Sequence, residues 1–256
     1  MATRAQRSTS FGAVAADYDR LRPPPAPAAV DWLVPGQART LVDLGAGTGL
    51  LSRALTLRAG HVVAVEPDDR MRAVLASSAP GVEAVPGTAE QIPLPDAAAD
   101  GVFASSAWQW MDPELAVPEI ARVLRDGGRF GLVWTTRESD IPWLRARDWF
   151  REAYQQAEPS DVTEPRDAAG RRLVSLPDGS PFTNIETETF RYSRPMTPAD
   201  IVDMLTTYSA VITADDEFVA RGRERGAAAL AAQFPGADVI ELPIRSYCWR
   251  ADRLPR

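Results

Sequence analysis

Within the stretch Thr40–Leu51, reading TLVDLGAGTGLL, three kinds of local order follow one another. Apolar residues Leu41, Val42 and Leu44 flank Asp43, glycines stand at 45, 47 and 49, and Leu51, Ala54 and Leu55 then recur with helical spacing. The pattern predicts a strand, a tight loop and a helix. Glycine at every second position lets the backbone turn through positive φ and brings its N–H groups close to a ligand that a side chain would hold off. A strand's carboxyl end that faces a helix N-terminus is where ligands bind in open α/β sheets.

Composition narrows the chemistry such a loop can serve. All 28 basic residues are Arg and no Lys occurs, which removes Schiff-base, pyridoxal phosphate and P-loop chemistry, because each needs an amine. A single His61 and a single Cys248 exclude zinc clusters and disulfide frameworks. His61 opens the second strand at the edge opposite the glycine loop and reads as a packing or surface residue; Cys248, in a late apolar strand pattern, reads as core. A net charge of −7 argues against a nucleic-acid surface, which would carry a basic face. No apolar run approaches the roughly 20 residues of a membrane span, and no signal-type apolar core follows the N-terminus. The expected location is the cytoplasm, and the expected partner is a small molecule, with neither nucleic acid nor membrane involved. The 256 residues, 45% hydrophobic, suffice for one core with an appended cap. They carry no sign of oligomeric state.

Along the chain, residues 1–9 are polar and expected to be disordered, and residues 10–36 hold two helices. The first places Phe11, Val14, Ala15, Tyr18 and Leu21 on one face and ends at Pro23; the second runs from about Ala26 to Val34. Residues 37–140 form the core. His61–Val65 reads as a buried parallel strand ending at Glu66, one βαβ step past the glycines, where a carboxylate can accept both hydroxyls of a ribose. Asp68 and Asp69 suit the next helix start. A third strand spans Val82–Pro86. A fourth, from Asp100, enters the aromatic loop Trp108–Asp112, and Asp112 caps a helix to Leu124 that should carry Leu115, Ile120, Val123 and Leu124 inward. Arg125–Gly128 turns into a fifth strand, Arg129–Trp134.

Trp108, Trp110, Trp134, Trp143 and Trp149 fall where a pocket mouth should lie, and tryptophan faces favour a nearby cation. Arg137, Arg145 and Arg147 can bind an anion through forked hydrogen bonds. Residues 141–182 read as a cap or insertion. The remainder, 183–256, holds a strand Thr183–Tyr192, a helix from the Thr197 cap to Leu205, a long surface helix over 215–233, and a last strand over 239–250, antiparallel and beside strand five.

The spacing Asp43-x-Gly45-x-Gly47-x-Gly49 departs from the dinucleotide fingerprint G-x-G-x-x-G, whose third glycine would fall at Leu50. It resembles motif I of the class I methyltransferases, which curls under the methionine part of S-adenosylmethionine. Gly87-Thr88-Ala89-Glu90-Gln91-Ile92-Pro93-Leu94-Pro95-Asp96 resembles the family pattern G-x-A-E-x-L-P-x-x-D. Leu124-Arg125-Asp126-Gly127-Gly128, between a helix and a strand, is similar to the family's L-x-x-G-G order. Over residues 11 to about 140 the chain is similar to the type 11 small-molecule group, particularly its trans-aconitate methyltransferase-like members.

The resemblance implies a Rossmann-like, seven-stranded, mostly parallel α/β sheet with helices on both faces, an antiparallel last strand and a cap inserted after strand five. It implies S-adenosyl-L-methionine as donor and S-adenosyl-L-homocysteine as product. The implied cofactor contacts are Asp43, Gly45, Ala46, Gly47, Gly49, Glu66, Pro67 and Met71, with Thr88, Ala89 and Glu90 on the adenine and Ser105 and Ser106 after strand four. Tyr18 and Arg22 would close over the cofactor. Asp43 either orients the loop or meets the ligand's amino group.

Family members often carry His-Trp after strand four, where this chain has Gln109-Trp110. Displacement on a sulfonium depends mainly on alignment, which can supply roughly 7–11 kcal/mol of a barrier, and a carboxylate needs no deprotonation at neutral pH. The expected reaction is therefore O-methylation of a small acid or secondary metabolite without a histidine base, Gln109 and Trp110 orienting the acceptor and Trp108, Trp134, Arg137 and Trp143 lining its site. The N/D-P-P-Y/F/W tetrad of DNA amino-methyltransferases is absent. A nicotinamide-dependent oxidoreductase and a protein that binds the cofactor without transferring a methyl share the same half-fold and stand as alternatives.

Overall fold

The computed structural model describes residues 10–138, 141–144, 149–150, 174–212 and 214–255. The strands are β1 (Thr40–Leu44), β2 (His61–Val65), β3 (Glu83–Val85), β4 (Ala99–Ser105), β5 (Leu124–Arg137), β6 (Phe182–Met196) and β7 (Ile240–Arg253), in one sheet ordered β3-β2-β1-β4-β5-β7-β6. Strands β1 to β5 pair in parallel, and β7 runs antiparallel to both β5 and β6. The strand order reverses between β1 and β4, so a crevice opens outside their carboxyl ends.

The helices are α1 (Ala15–Leu21), α2 (Pro27–Leu33), α3 (Leu50–Leu55), α4 (Asp69–Ser78), α5 (Pro113–Val123), α6 (Pro198–Thr206), α7 (Ser209–Ile212) and α8 (Asp216–Gln233). Successive residues of β1 face opposite cores: Val42 and Leu44 pack with α5 residues, Leu41 with α2, α3 and α4. That two-sided burial is why the strand reads as an apolar run rather than an alternation. Side-chain caps close the N-termini where expected. Asp112 accepts from the Glu114 N–H at 3.0 Å, and Thr197 Oγ1 from the Asp200 N–H at 3.1 Å.

Three local expectations change. Leu115 is 57% exposed, because the buried stripe of α5 runs through Ala116, Val117, Ile120, Ala121 and Val123 and leaves it outside. Strand β5 begins at Leu124 rather than Arg129: Leu124 already pairs with Ala99, and a bulge with Gly127 at φ 73° precedes the regular ladder. Helix α8 is not only a surface helix. Phe218, Gly222, Gly226 and Leu230 form a buried stripe, and Gly222 admits the Phe150 ring, which a Cβ would approach to 2.2 Å.

A third cluster joins α1, α6 and α8 to Ile240, Leu242 and Ile244 of β7 and to Trp149 and Phe150. It holds α1 across the crevice. Arg194 donates to the carbonyls of Arg20, Leu21 and Arg22 at 2.8–2.9 Å, satisfying the helix's C-terminal acceptors. Arg20 pairs with Asp200, and Arg53 with Asp19 at 2.8 Å. Arg22, before Pro23, is extended at φ −68°, ψ 137°, as a residue preceding proline must be. Among the described residues no helix is long and apolar enough to cross a membrane. The expected tail 1–9, Arg145, Arg147 and most of the cap at 141–182 lie outside the described residues.

Candidate functional site

The glycine loop is fastened from below: the N–H groups of Gly45 and Ala46 both donate to Val65 O, at 2.8 and 3.2 Å. Asp43, fully buried, accepts from Ser52 Oγ at 2.6 Å and so ties the strand before the loop to the helix after it. Burial pushes its carboxyl up to about 7 against the Ser52 hydrogen bond, and the charge of Glu66 pushes the same way as burial.

Gly47 and Gly49 share positive φ, 58° and 88°, for different reasons. A Cβ on Gly47 would meet nothing nearer than Met71 Cε at 4.0 Å, whereas one on Gly49 would stand 2.9 Å from Leu75 Cγ. Gly47 keeps the floor of a cavity open; Gly49 lets α4 pack against the start of α3.

Glu66 ends β2 with its carboxylate across the loop. Oε2 accepts from the Gly47 N–H at 2.8 Å and Oε1 from the Asp68 N–H at 2.9 Å. Burial raises its pKa, opposed by these two bonds. Each oxygen retains a second acceptor position, so the group can still receive two neighbouring hydroxyls.

Above it lies a cavity of ≈ 330 Å³, within the range of small-molecule sites. Gly45, Gly47, Glu66, Pro67 and Met71 form one side, Thr88, Ala89 and Glu90 the next, and Ser105, Ser106, Ala107, Trp110 and Met111 the third. Phe11 and Tyr18 cover it, Phe11 meeting the Tyr18 ring at 5.8 Å and the Trp110 ring at 6.1 Å, both edge-to-face. Glu90 accepts from the Asp112 N–H at 2.8 Å, joining the loop after β3 to the start of α5. Ser106 adopts left-handed φ 53°, held by its N–H to Val133 O at 2.8 Å and by Gln109 Nε2 donating to its carbonyl at 2.7 Å.

A second cavity, ≈ 150 Å³, shares Phe11, Tyr18, Ser106 and Trp110 with the first. Beyond that common wall lie Arg22, Gln109, Trp134, Thr135, Thr136, Tyr208 and Ser209. Trp134 Nε1 donates to Gln109 Oε1 at 3.4 Å. The Arg22 guanidinium lies 3.8 Å from the Tyr208 ring centroid and 5.1 Å from that of Tyr18, and its Nη2 donates to Thr207 O at 3.0 Å. Its Nε is buried with no hydrogen-bond partner.

Tyr18, Gly45, Gly47, Glu66, Pro67, Met71, Thr88, Ala89, Glu90, Ser105 and Ser106 line the first cavity, while Asp43, Ala46 and Gly49 do not. Arg22, expected over the cofactor, lines only the second cavity, beside Gln109 and Trp134; Tyr18, Ser106 and Trp110 line both. Trp108 is a core residue, 7% exposed and 5.5 Å from the Phe130 ring. Trp143 packs edge-to-face on Phe234 at 5.0 Å, and Arg137 donates to Glu138 O; neither lines these two cavities.

Cys248 is buried, its thiol pushed up to about 12 by desolvation, and His61 is exposed beside Glu83. Phe11, Ala107, Met111, Thr135, Thr136, Tyr208 and Ser209 were not singled out as site residues. Phe11 shares the helical face of Tyr18, a usable signal; Tyr208 stands in no motif.

Residues 42–132 match the family model described as a methyltransferase domain. An uncharacterized methyltransferase of Mycobacterium tuberculosis is 37% identical over 251 residues, covering 97% of this chain and 98% of that protein. A malonyl-[acyl-carrier protein] O-methyltransferase of Herminiimonas arsenicoxydans is 37% identical over 125 residues, 48% of each chain. A solved structure from Anaeromyxobacter dehalogenans, provisionally described as a type II methyltransferase, aligns with a TM-score of 0.70 at 25% identity, over 92% of this chain and 99% of that one.

Fold and site together define a class I S-adenosylmethionine-dependent methyltransferase. The chain belongs to the methyltransferase family along nearly its whole length, which sets the nicotinamide oxidoreductase reading aside. The residues present suit the family's cofactor: Glu66 has acceptor positions left for two ribose hydroxyls, and Gly47 leaves the cavity floor open.

Proposed function

We propose that the protein methylates an oxygen of a small acidic molecule. Glu66, Gly47, Met71 and the Thr88–Glu90 turn would hold the donor in the larger cavity, and the aromatic faces of Phe11, Tyr18 and Trp110 at the junction suit a sulfonium. Bound there, S-adenosylmethionine supplies an electrophilic methyl group. An acceptor in the smaller cavity approaches through the shared wall.

The observation that carries the reading is the makeup of that smaller cavity. Among its described lining residues there is no His, Asp, Glu or Cys to take a proton. The Gln109 amide, bonded to Ser106 and Trp134, orients rather than accepts a proton. A carboxylate fits: its lone pair forms the new C–O bond, the S–C bond breaks toward sulfur, and no proton has to move. Rate then comes from alignment, worth roughly 7–11 kcal/mol when the reacting atoms are held near contact. The similarity to a protein named as an O-methyltransferase supports transfer to oxygen, and the net charge of −7 disfavours nucleic acid as acceptor.

The test is calorimetric titration with S-adenosylmethionine and S-adenosylhomocysteine, with NAD as control. Turnover follows, using a methyl-labelled donor and a panel of small carboxylic acids. The expected product is an alkali-labile methyl ester formed with one equivalent of S-adenosylhomocysteine. Cofactor binding without ester from any acid, or an alkali-stable N-methyl product, would sink the proposal.

A further inference from the structure

A chain of hydrogen bonds with a fixed direction runs from the start of α2 to the wall of the smaller cavity. Residues 23–27 read Pro-Pro-Pro-Ala-Pro, so the Ala26 amide is the one N–H in the run. It donates to Ser246 Oγ at 3.0 Å, and an amide N–H can take no other part. Ser246 stands directly opposite Thr135 in the β5–β7 ladder, and their hydroxyl oxygens lie 2.9 Å apart. Only one of the two hydroxyl protons can lie between them. Burial decides which. Ser246 is 0% exposed, and among the described residues Thr135 is the one acceptor that its hydroxyl meets. Were Thr135 to donate, Ser246 Oγ would receive two protons and its own would be buried without a bond, which is costly. Were Ser246 to donate, the proton left over belongs to Thr135, which is 8% exposed and lines the ≈ 150 Å³ cavity, where a ligand can accept it. The second arrangement is the more stable. The Thr136 and Tyr208 hydroxyls on the same wall meet at 3.5 Å with either as donor, so no direction is set there.

Resting on the methyl-transfer reading above for what enters that cavity, we propose that Thr135 is a specificity-determining residue: its hydroxyl, held as a donor by Ser246 and Ala26, selects acceptors that place a keto or ether oxygen against it. That oxygen is not the one methylated. Thr135 lines the smaller cavity only, whereas the methyl is delivered at the wall that both cavities share, beside Tyr18, Ser106 and Trp110. A ligand N–H at the same place would face a donor, leaving both groups without a bond, so the fixed direction rejects as well as selects. Ser246 touches no ligand; it acts through Thr135 and is a positioning residue. The bond changes are those of ester formation already given, and the Thr135 proton is shared, not transferred.

The experiment joins neutron diffraction from deuterium-exchanged crystals of the S-adenosylhomocysteine complex to calorimetric titration of that complex. The titrants are 4-oxopentanoate and 5-oxohexanoate, each against its apolar isostere, 4-methylpentanoate and 5-methylhexanoate. The Ser246 deuteron should lie on the line to Thr135 Oγ1 and the Thr135 deuteron should turn to the cavity. For wild type, at least one keto acid should bind about tenfold more tightly than its isostere. Thr135→Val should erase that preference and Thr135→Ser should keep it, both with S-adenosylhomocysteine Kd within about twofold of wild type. Ser246→Ala lets the Thr135 hydroxyl turn either way and should cut the preference to about threefold at the same cofactor Kd. Should Thr135→Val fail to fold, because it leaves the Ser246 proton without a bond, the deuteron positions and Ser246→Ala decide the matter.

A Thr135 deuteron that points at Ser246 overturns the proposal, as do equal affinities for both keto acids and their isosteres, or a preference that survives in Thr135→Val; the methyl-transfer reading stands in each case. A preference unchanged in Ser246→Ala, or lost there only together with cofactor binding, overturns the positioning by Ser246. Keto-acid binding with the expected preference but no ester from a methyl-labelled donor overturns the functional reading and leaves Thr135 as the donor. No binding of any of the four acids with cofactor bound overturns both.

Discussion

Two glycines of one loop should fail in opposite ways. Gly47 and Gly49 both occupy the left-handed region, where a non-glycine residue costs about 1–2 kcal/mol. On Gly47 the added Cβ finds open space, with Met71 Cε at 4.0 Å, so Gly47→Ala should lose about 1–2 kcal/mol of stability and no more. On Gly49 the Cβ would stand 2.9 Å from Leu75 Cγ, adding overpacking of about 1–3 kcal/mol, so Gly49→Ala should lose about 2–5 kcal/mol. At about 2–4 °C per kcal/mol for a chain of this size, Gly47→Ala should melt roughly 2–8 °C below wild type and Gly49→Ala well below that.

Function should order them the other way. The Gly47 Cβ projects beside Met71 into the larger cavity, the proposed cofactor site, and, below 25 °C where both variants are folded, should weaken S-adenosylhomocysteine by more than about 100-fold, against less than about tenfold for Gly49→Ala. Thermal melts paired with calorimetric titration decide the matter. Gly47→Ala binding as wild type does, or Gly49→Ala as stable as wild type, would refute the division of roles.

Asp43 makes stability depend on pH in a defined sense. Its carboxyl titrates at about 7 in the folded chain, above its ordinary value near 3.8, so folded protein holds a proton that unfolded chain has released. That contribution is complete below about pH 4, fades as pH rises to about 7, and is constant beyond. Asp43→Asn, which keeps an acceptor for Ser52, should therefore gain stability relative to wild type across that window, by at most about 4 kcal/mol in urea melts; parallel curves would contradict the buried, protonated carboxyl. Arg194→Ala removes three hydrogen bonds to the end of α1 and should cost about 1–3 kcal/mol. It should also speed trypsin cleavage after Arg20, and unchanged cleavage would show that the third core alone holds the segment.

Much of the larger cavity was legible because its residues lie in short, local patterns. A strand ending in a glycine loop, an acid at the end of the next strand and the Thr88–Glu90 turn occupy consecutive strand ends of one parallel sheet. Once the strands are recognised, their carboxyl ends must share an edge. The smaller cavity was legible only in part. Trp110, Gln109 and Trp134 follow β4 and β5 and line the smaller cavity, but Trp108 is one residue from Gln109 and points into the core. Aromatic identity does not tell a core ring from a pocket ring when a turn of 3₁₀ helix, Trp108–Trp110, rotates successive side chains to different sides.

From the order of residues alone came the α/β class, the parallel strands with an antiparallel last one, the glycine loop and the Glu66 carboxylate, because periodicity and turn chemistry act over a few residues. Packing assigned the rest. It gave Gly49 to Leu75 and Gly47 to the larger cavity, made Asp43 a brace behind the loop, and set Arg22 against the smaller cavity. Arg22 meets Thr207 across 185 residues of chain, and no local pattern encodes such a meeting. It exists because β7 returns antiparallel beside β5 and the third core draws α6 and α1 together over the crevice.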